Sequence, residues 1–450
     1  MKKAFVGIAF AAVAAAVTAG EVETTVIRQQ WPWQKDVRID YMLTGSWGET
    51  CDVEVAVKDG DKVIEKSTAA YLGAFTGDLF EIKPGSRTIW WHPDVSRHGE
   101  VNAKQLTFTL TPKTVTAKGD YMVIDLSDPS HYSVSYLNDV PAGGWKASKY
   151  NDQYLRTKLV LRRIRAGKFM MGSPTTETGR MPDDEKSSDL YNENLHEVTL
   201  TKDFWIGIFQ LSLEQIRQIW PLIAPTSKTP YELNGKTYSR VNSYSGDLSW
   251  PAQPIGLFEL IGLNSVTAWP GQYSVDEESI CGKLQARTAG ENLDAGYIFT
   301  LPTEAQWEYA CRAGTKTAYY NGFDPEVAAD GNDPHLDLIA RYSKSKASGS
   351  GEWDGPANFA PNAWGLYDML GDNWEMVLDV ANWDYHGLGF NPVTDPRGPN
   401  VSKSNRYSVI RGGGWNAARY CRAAARKIGP GATGDGKGAY TARIVFTQGD

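Results

Sequence analysis

Cysteine and histidine are scarce in this chain, with four of one and six of the other in 450 residues. Four cysteines exclude a disulfide scaffold and leave room for one or two bridges in an oxidising compartment. Cys51 stands alone in the N-terminal part, and among Cys281, Cys311 and Cys421 at most one bridge can form. The histidines do not recur at metal spacing: His92 and His98 flank a loop, while His131, His196, His335 and His386 are scattered. That excludes a His-x-x-x-His metallohydrolase, and no Gly-x-Ser-x-Gly elbow or phosphate loop is present. Blocks of like charge are also missing. The net charge is −7, and the basic stretch Arg162-Arg163-Ile164-Arg165 fits a strand with one solvated face, so a nucleic-acid partner is not expected. Beyond the first twenty residues no apolar run is long enough to span a bilayer.

The first nineteen residues carry a basic start, Met1-Lys2-Lys3, an alanine-rich apolar run and small residues at Val17-Thr18-Ala19. This is the pattern of a secretory signal peptide over 1–19, with no following cysteine to take a lipid, so an exported protein, periplasmic or extracellular, is expected. Tryptophan and tyrosine are abundant, 16 and 22. Such a supply serves either loop-rich cores pinned by large side chains or a sugar-binding surface.

Residues 21–126 read as short β-prone runs parted by turn residues, among them Val37–Leu43, Val53–Val57, Lys62–Glu65, Thr88–Trp91 and Gln105–Leu110, with Asp59-Gly60-Asp61 as a hairpin turn. They predict an immunoglobulin-like all-β sandwich. A stretch containing Gly and Pro over 127–154 reads as a linker, and a second domain over 155–450 opens with Lys158–Ile164 and Gly167–Gly172 as strands. Two helices carry capping boxes, one started by Ser212 with Gln215 and one by Thr303 with Gln306. The acidic run Asp183-Asp184-Glu185 reads as a solvated turn.

Several motifs then follow in a fixed order: Phe169-Met-Met-Gly172, His196–Leu200 with Phe204–Gly207, Leu301-Pro-Thr-Glu-Ala-Gln-Trp-Glu-Tyr-Ala310, Pro361–Met369, Gly371–Glu375, Asp395–Pro399, Val409–Trp415 and Cys421–Arg426. In this order they resemble the sulfatase-modifying-factor family, the domain of the formylglycine-generating enzyme and its non-catalytic relatives. The resemblance implies an α/β fold of low regular secondary structure, C-type-lectin-like, for the second domain. Enzymes of the family hold copper between two cysteines after an Arg-Gly-Gly motif, and soft thiolates suit Cu(I). Here the stretch after Arg411-Gly412-Gly413-Gly414-Trp415 supplies only Cys421, a weak catalytic candidate whose expected role is instead a disulfide or core packing, and copper is not expected. The resemblance also implies one Ca²⁺ site, with main-chain oxygens of Leu370, Gly371 and Asn373 and the carboxylate of Glu375. At a second family site Arg341 stands where a ligand belongs. Arg443 keeps a basic position near the C-terminus.

The lectin-like reading makes Trp415, Arg419, Arg422 and Arg426 candidates for a ligand-binding face. The competing reading has those arginines pair with core acids such as Glu304 and Glu308. The chain is therefore expected to be a non-catalytic recognition protein for a protein, peptide or glycan ligand, including an exported sulfatase. The alternative is a formylglycine-generating oxidase with a rearranged thiol site.

Overall fold

The computed structural model describes residues 20–33, 35–45, 50–67, 74–79, 82–94, 98–115, 118–145, 153–180, 193–220, 231–233, 236–238, 241–243, 252–254, 275, 277, 279–326, 331–343, 357–380, 391–398, 407–414, 417–431 and 440–449. The chain divides into two compact units, Met1–Ala117 and Lys118–Asp450.

The first unit is built from two antiparallel sheets. One has the strand order Glu21–Arg28, Val37–Thr44, Gly85–Trp91, Phe75–Gly77, and the other Lys62–Lys66, Thr50–Asp59, Thr107–Val115. Period-2 alternation places Val37, Ile39, Tyr41 and Leu43 inward from one sheet and Val53, Val55 and Val57 from the other. Trp91 of the first sheet meets Phe108 of the second edge to face, with ring centroids 5.7 Å apart.

The second unit starts earlier than its sequence suggests. Tyr121–Asp125, expected to close the N-terminal sandwich, pairs instead with Lys158–Ile164, and Val134–Leu137 inside the expected linker pairs with Tyr121–Asp125. Alternation identifies a strand without identifying its partner, and here the partner lies downstream. These strands belong to a six-stranded antiparallel sheet ordered Tyr297–Thr300, Val445–Gln448, Phe204–Gly207, Lys158–Ile164, Tyr121–Asp125, Val134–Leu137. Both faces of the sheet are covered, so successive residues feed two different cores. Val160, Phe204 and Ile206 enter one with Trp307 and Cys311, while Leu159, Leu161 and Trp205 enter the other with Ile216 and Leu284.

A four-stranded sheet, Arg426–Gly431, Tyr407–Arg411, Trp374–Val380, Tyr440–Thr441, carries the signature segments. Its register sets Arg426 beside Arg411 and Arg411 beside Glu375. Helix Glu304–Arg312 packs near these strands. Its capping box forms as expected, and Ala313 in the left-handed region ends it. Almost every side chain of this helix is buried, Glu304 and Glu308 included, so each carboxylate needs a partner inside the protein. Among the described residues no helix is long and apolar enough to cross a membrane.

Candidate functional site

Two neighbouring constructions occupy the signature region. The first is a buried arginine and carboxylate core. Glu304 and Glu308 lie one helical turn apart and meet the two arginines that the sheet register has placed side by side. Arg426 Nη2 donates to Glu304 Oε2 at 2.6 Å. Arg411 ion-pairs with Glu308 and also donates to the carbonyls of Ala424 and Ala425 at 2.8 and 2.7 Å. Glu308 Oε1 further accepts from Arg312 Nε at 2.8 Å and from the Gly172 amide at 2.9 Å. Arg422 is fully buried between Glu193, at 2.7 and 2.9 Å, and Glu177. Its two carboxylates hold the guanidinium charged against burial, and Arg422 in turn keeps the Glu193 carboxyl below its ordinary range although burial opposes this.

Arg422 and Arg426 therefore face the interior and not an external ligand, because carboxylates inside the fold claim their donors. Arg419 is half-buried with its guanidinium 5.1 Å from the Tyr420 ring centre. Trp415, the remaining candidate for a binding face, lies outside the described residues, as do Asp183, Asp184 and Glu185.

The thiol expected to matter is packed in the same core. Cys421 is unpaired and fully buried, and a Cβ on Gly413 would come within 2.6 Å of its Sγ, with φ of +74° at that glycine. Burial pushes the Cys421 thiol up to about 12, and the Cys311 thiol likewise. Cys51 and Cys281 are also buried and unpaired, so none of the bridges allowed by the sequence is formed. A thiol protonated at neutral pH and shut away from solvent is a poor ligand for a soft metal.

The second construction is a small cage of oxygens. Glu375 is fully buried, and both its oxygens have donors: Arg443 Nε at 2.9 Å to each, Trp307 Nε1 at 2.8 Å to Oε2 and Gln210 Nε2 at 3.0 Å to Oε1. Gln210 Nε2 also reaches the carbonyls of Asp368 at 3.2 Å and Asn373 at 3.1 Å. An amide has two protons to offer these three acceptors, while its own Oε1 is buried without a donor among the described residues. The turn that shapes the cage holds Asp368, Gly371 and Asp372 at positive φ. Gly371 cannot be larger, since a Cβ there would lie 2.3 Å from the Arg341 carbonyl.

Of the residues expected to hold calcium, Asn373 and Glu375 converge. Leu370 and Gly371 are not among the oxygens gathered at Gln210, where the Asp368 carbonyl takes part instead. Asp372 and Arg341 lie beside the cage, with Arg341 Nη1 3.8 Å from Asp372 Oδ1 and the Asp372 amide bonded to the Arg341 carbonyl at 2.8 Å. Burial, reinforced by Asp368, pushes the Asp372 carboxyl up to about 7. Among the described residues no three His, Cys, Asp or Glu side chains gather as a metal cluster. The cage is built mainly from main-chain carbonyls, the oxygen type that hard cations accept.

Residues 156–443 match the sulfatase-modifying factor enzyme 1-like domain. The chain belongs to that family. Among curated proteins it is similar to the formylglycine-generating enzyme of Thermomonospora curvata, 34% identical over 31% of this chain and 46% of the relative. It is also similar to the formylglycine-generating enzyme of Mus musculus, 33% identical over 28% of this chain and 34% of the relative. The chain thus matches less than half the length of these relatives. Among solved structures, PvdO from Pseudomonas aeruginosa aligns over 64% of this chain and 94% of its own, at 21% identity and a TM-score of 0.45.

For the family's calcium, the three oxygens gathered at Gln210 Nε2 fit a hard cation in donor type, while Arg443 already donates to both oxygens of Glu375. An ion and the Gln210 NH₂ group would compete for one set of oxygens. Sequence reasoning missed Gln210, which lies about 160 residues before the turn with no spacing to link them. The family's copper does not fit, because Cys421 is alone in the segment 411–426 and its thiol is buried and protonated.

Proposed function

We propose that this chain is an exported, non-oxidising member of the family that recognises a protein, peptide or glycan ligand. The observation that carries this reading is Cys421, one thiol where copper chemistry uses two, pressed against Gly413 with burial holding it protonated. Thiolates are the form that binds Cu(I), and neither a partner thiol nor a charge that would favour ionisation dominates at this position. Export rests on the composition of residues 1–19. An exported sulfatase is included among the protein ligands.

Of the four candidate residues, Trp415 and Arg419 remain for recognition, because Arg422 and Arg426 serve the interior. One calcium ion completes the reading. Asp368, Asn373 and Glu375 would hold it, and it would supply positive charge that pins the turn to the four-stranded sheet. The test combines copper titration with turnover. The purified chain is expected to take up no stoichiometric Cu(I) and to leave the cysteine of a sulfatase peptide unchanged in the presence of oxygen. Copper uptake with oxygen-dependent aldehyde formation would instead establish the oxidase.

A further inference from the structure

The first unit contains a groove of about 470 Å³, outside the region that matches the family. That is within the range of roughly 300–1,000 Å³ typical of small-ligand sites. Trp31 and Trp90 both line it, and each keeps part of its surface exposed. Trp33, two residues beyond Trp31, is 88% exposed, an unusual position for so large an apolar side chain. The groove is also cationic. Arg28, Arg38 and Lys104 line it and no acidic residue does, while Asp40, paired with both Arg28 and Arg38, balances one of the three charges. Arg38 sits 5.8 Å from the centre of the Trp90 ring, which ties cation and aromatic face into one surface.

The walls are fixed before any ligand arrives. Gln29 Oε1 accepts from the Ala103 amide at 2.8 Å, and its Nε2 donates to the carbonyls of Lys35 and Val101 at 2.9 and 3.2 Å. One half-exposed amide therefore ties the strand carrying Arg28 to the turn after it and to the segment carrying Lys104. A preformed groove loses less entropy on binding than one that must be ordered.

We propose that this groove binds an oligosaccharide bearing carboxylate or sulfate groups. Flat indole faces suit the apolar faces of sugar rings, guanidinium forks suit planar or tetrahedral oxyanions, and the two occur here within one preformed site. The inference is independent of the proposed role of the second unit.

The test titrates the full chain with oligogalacturonate, with dextran sulfate oligomers, with neutral dextran oligomers and with a poly-glutamate peptide, following tryptophan fluorescence. Binding of either anionic saccharide supports the proposal, and which one binds identifies the anion. Trp90→Ala and Trp31→Ala are each expected to weaken binding about tenfold or more, with Trp90→Phe retaining most of it. Arg38→Gln combined with Lys104→Gln is expected to weaken it severalfold and to flatten its dependence on salt. Circular dichroism separates these losses from unfolding, and the turn residue Trp31 provides a variant outside the sheet. Equal binding of neutral dextran, equal binding of poly-glutamate, no saccharide binding at millimolar concentration, or wild-type affinity in both folded alanine variants would each overturn the proposal.

Discussion

The turn from Asp368 to Glu375 leads into one strand of the four-stranded sheet and the segment from Arg411 to Arg426 joins two others, yet they treat polar atoms in opposite ways. The turn leaves an oxygen cage imperfectly satisfied, with a neutral amide spread over three acceptors. The segment meets its buried guanidiniums with carboxylates and main-chain carbonyls and walls in its thiol. The first arrangement gathers oxygens of the type that hard cations accept, and the second encloses a lone thiol. A family signature can therefore gather oxygens around an amide in one half and form structural core in the other.

The sharpest way to break the comparison is to remove a charge from the structural half. Glu308→Ala deprives Arg411 and Arg312 of a shared buried partner and is expected to cost about 3–5 kcal/mol in denaturant unfolding. A loss below about 1 kcal/mol would mean that the core is hydrated and the segment more open than its burial indicates.

The cage half is sharpened by Gln210→Glu. Without calcium the added carboxylate faces Glu375 and destabilises the fold. With calcium it adds a charged ligand, and saturation at a hundred times the dissociation constant is worth about 2.7 kcal/mol. Thermal unfolding in chelator and in millimolar calcium is expected to differ more for this variant than for the wild type, which itself gains a smaller calcium-dependent rise. Identical curves with and without calcium in both proteins would remove the ion from the account.

A third prediction uses pH. Burial pushes the Asp379 carboxyl up to about 8, with Glu304 adding to the effect, and Asp372 is similarly raised to about 7. The folded state therefore holds these protons more tightly than the unfolded chain. The stability they contribute is complete below the ordinary aspartate range near 4 and is lost as pH rises toward 7 to 8, with a slope of at most about 1.4 kcal/mol per pH unit for each proton. Asp379→Asn is expected to flatten part of this slope and to be more stable than the wild type at pH 8, as read by chemical denaturation across pH 5–8. The smallest effect is expected from Cys421→Ala, about 1 kcal/mol in stability with ligand binding unchanged.

The elements were legible where the signal is local. Ser212 and Thr303 cap their helices as their neighbours at i+3 require, and Asp59-Gly60-Asp61 makes the hairpin turn between adjacent strands. Glu304 and Glu308 were identifiable as partners for the arginines, although which arginine meets which acid was not. What stayed illegible is non-local. Arg422 finds Glu177 and Glu193 more than two hundred residues away, and Tyr121–Asp125 joins the later unit through a strand beyond the expected linker. Local alternation, spacing and charge do not specify such pairings. The cage shows the same limit, since the turn announced an oxygen-rich site but not the glutamine that fills it.

The central claim is that the Cys421 segment performs no oxidation. The most direct measurement incubates the pure chain with Cu(I), oxygen and a sulfatase-derived cysteine peptide, then captures aldehydes with a hydrazide probe and reads peptide mass. An unmodified peptide and no copper retained after desalting are the expected results. Aldehyde formation that disappears in Cys421→Ala would contradict the claim.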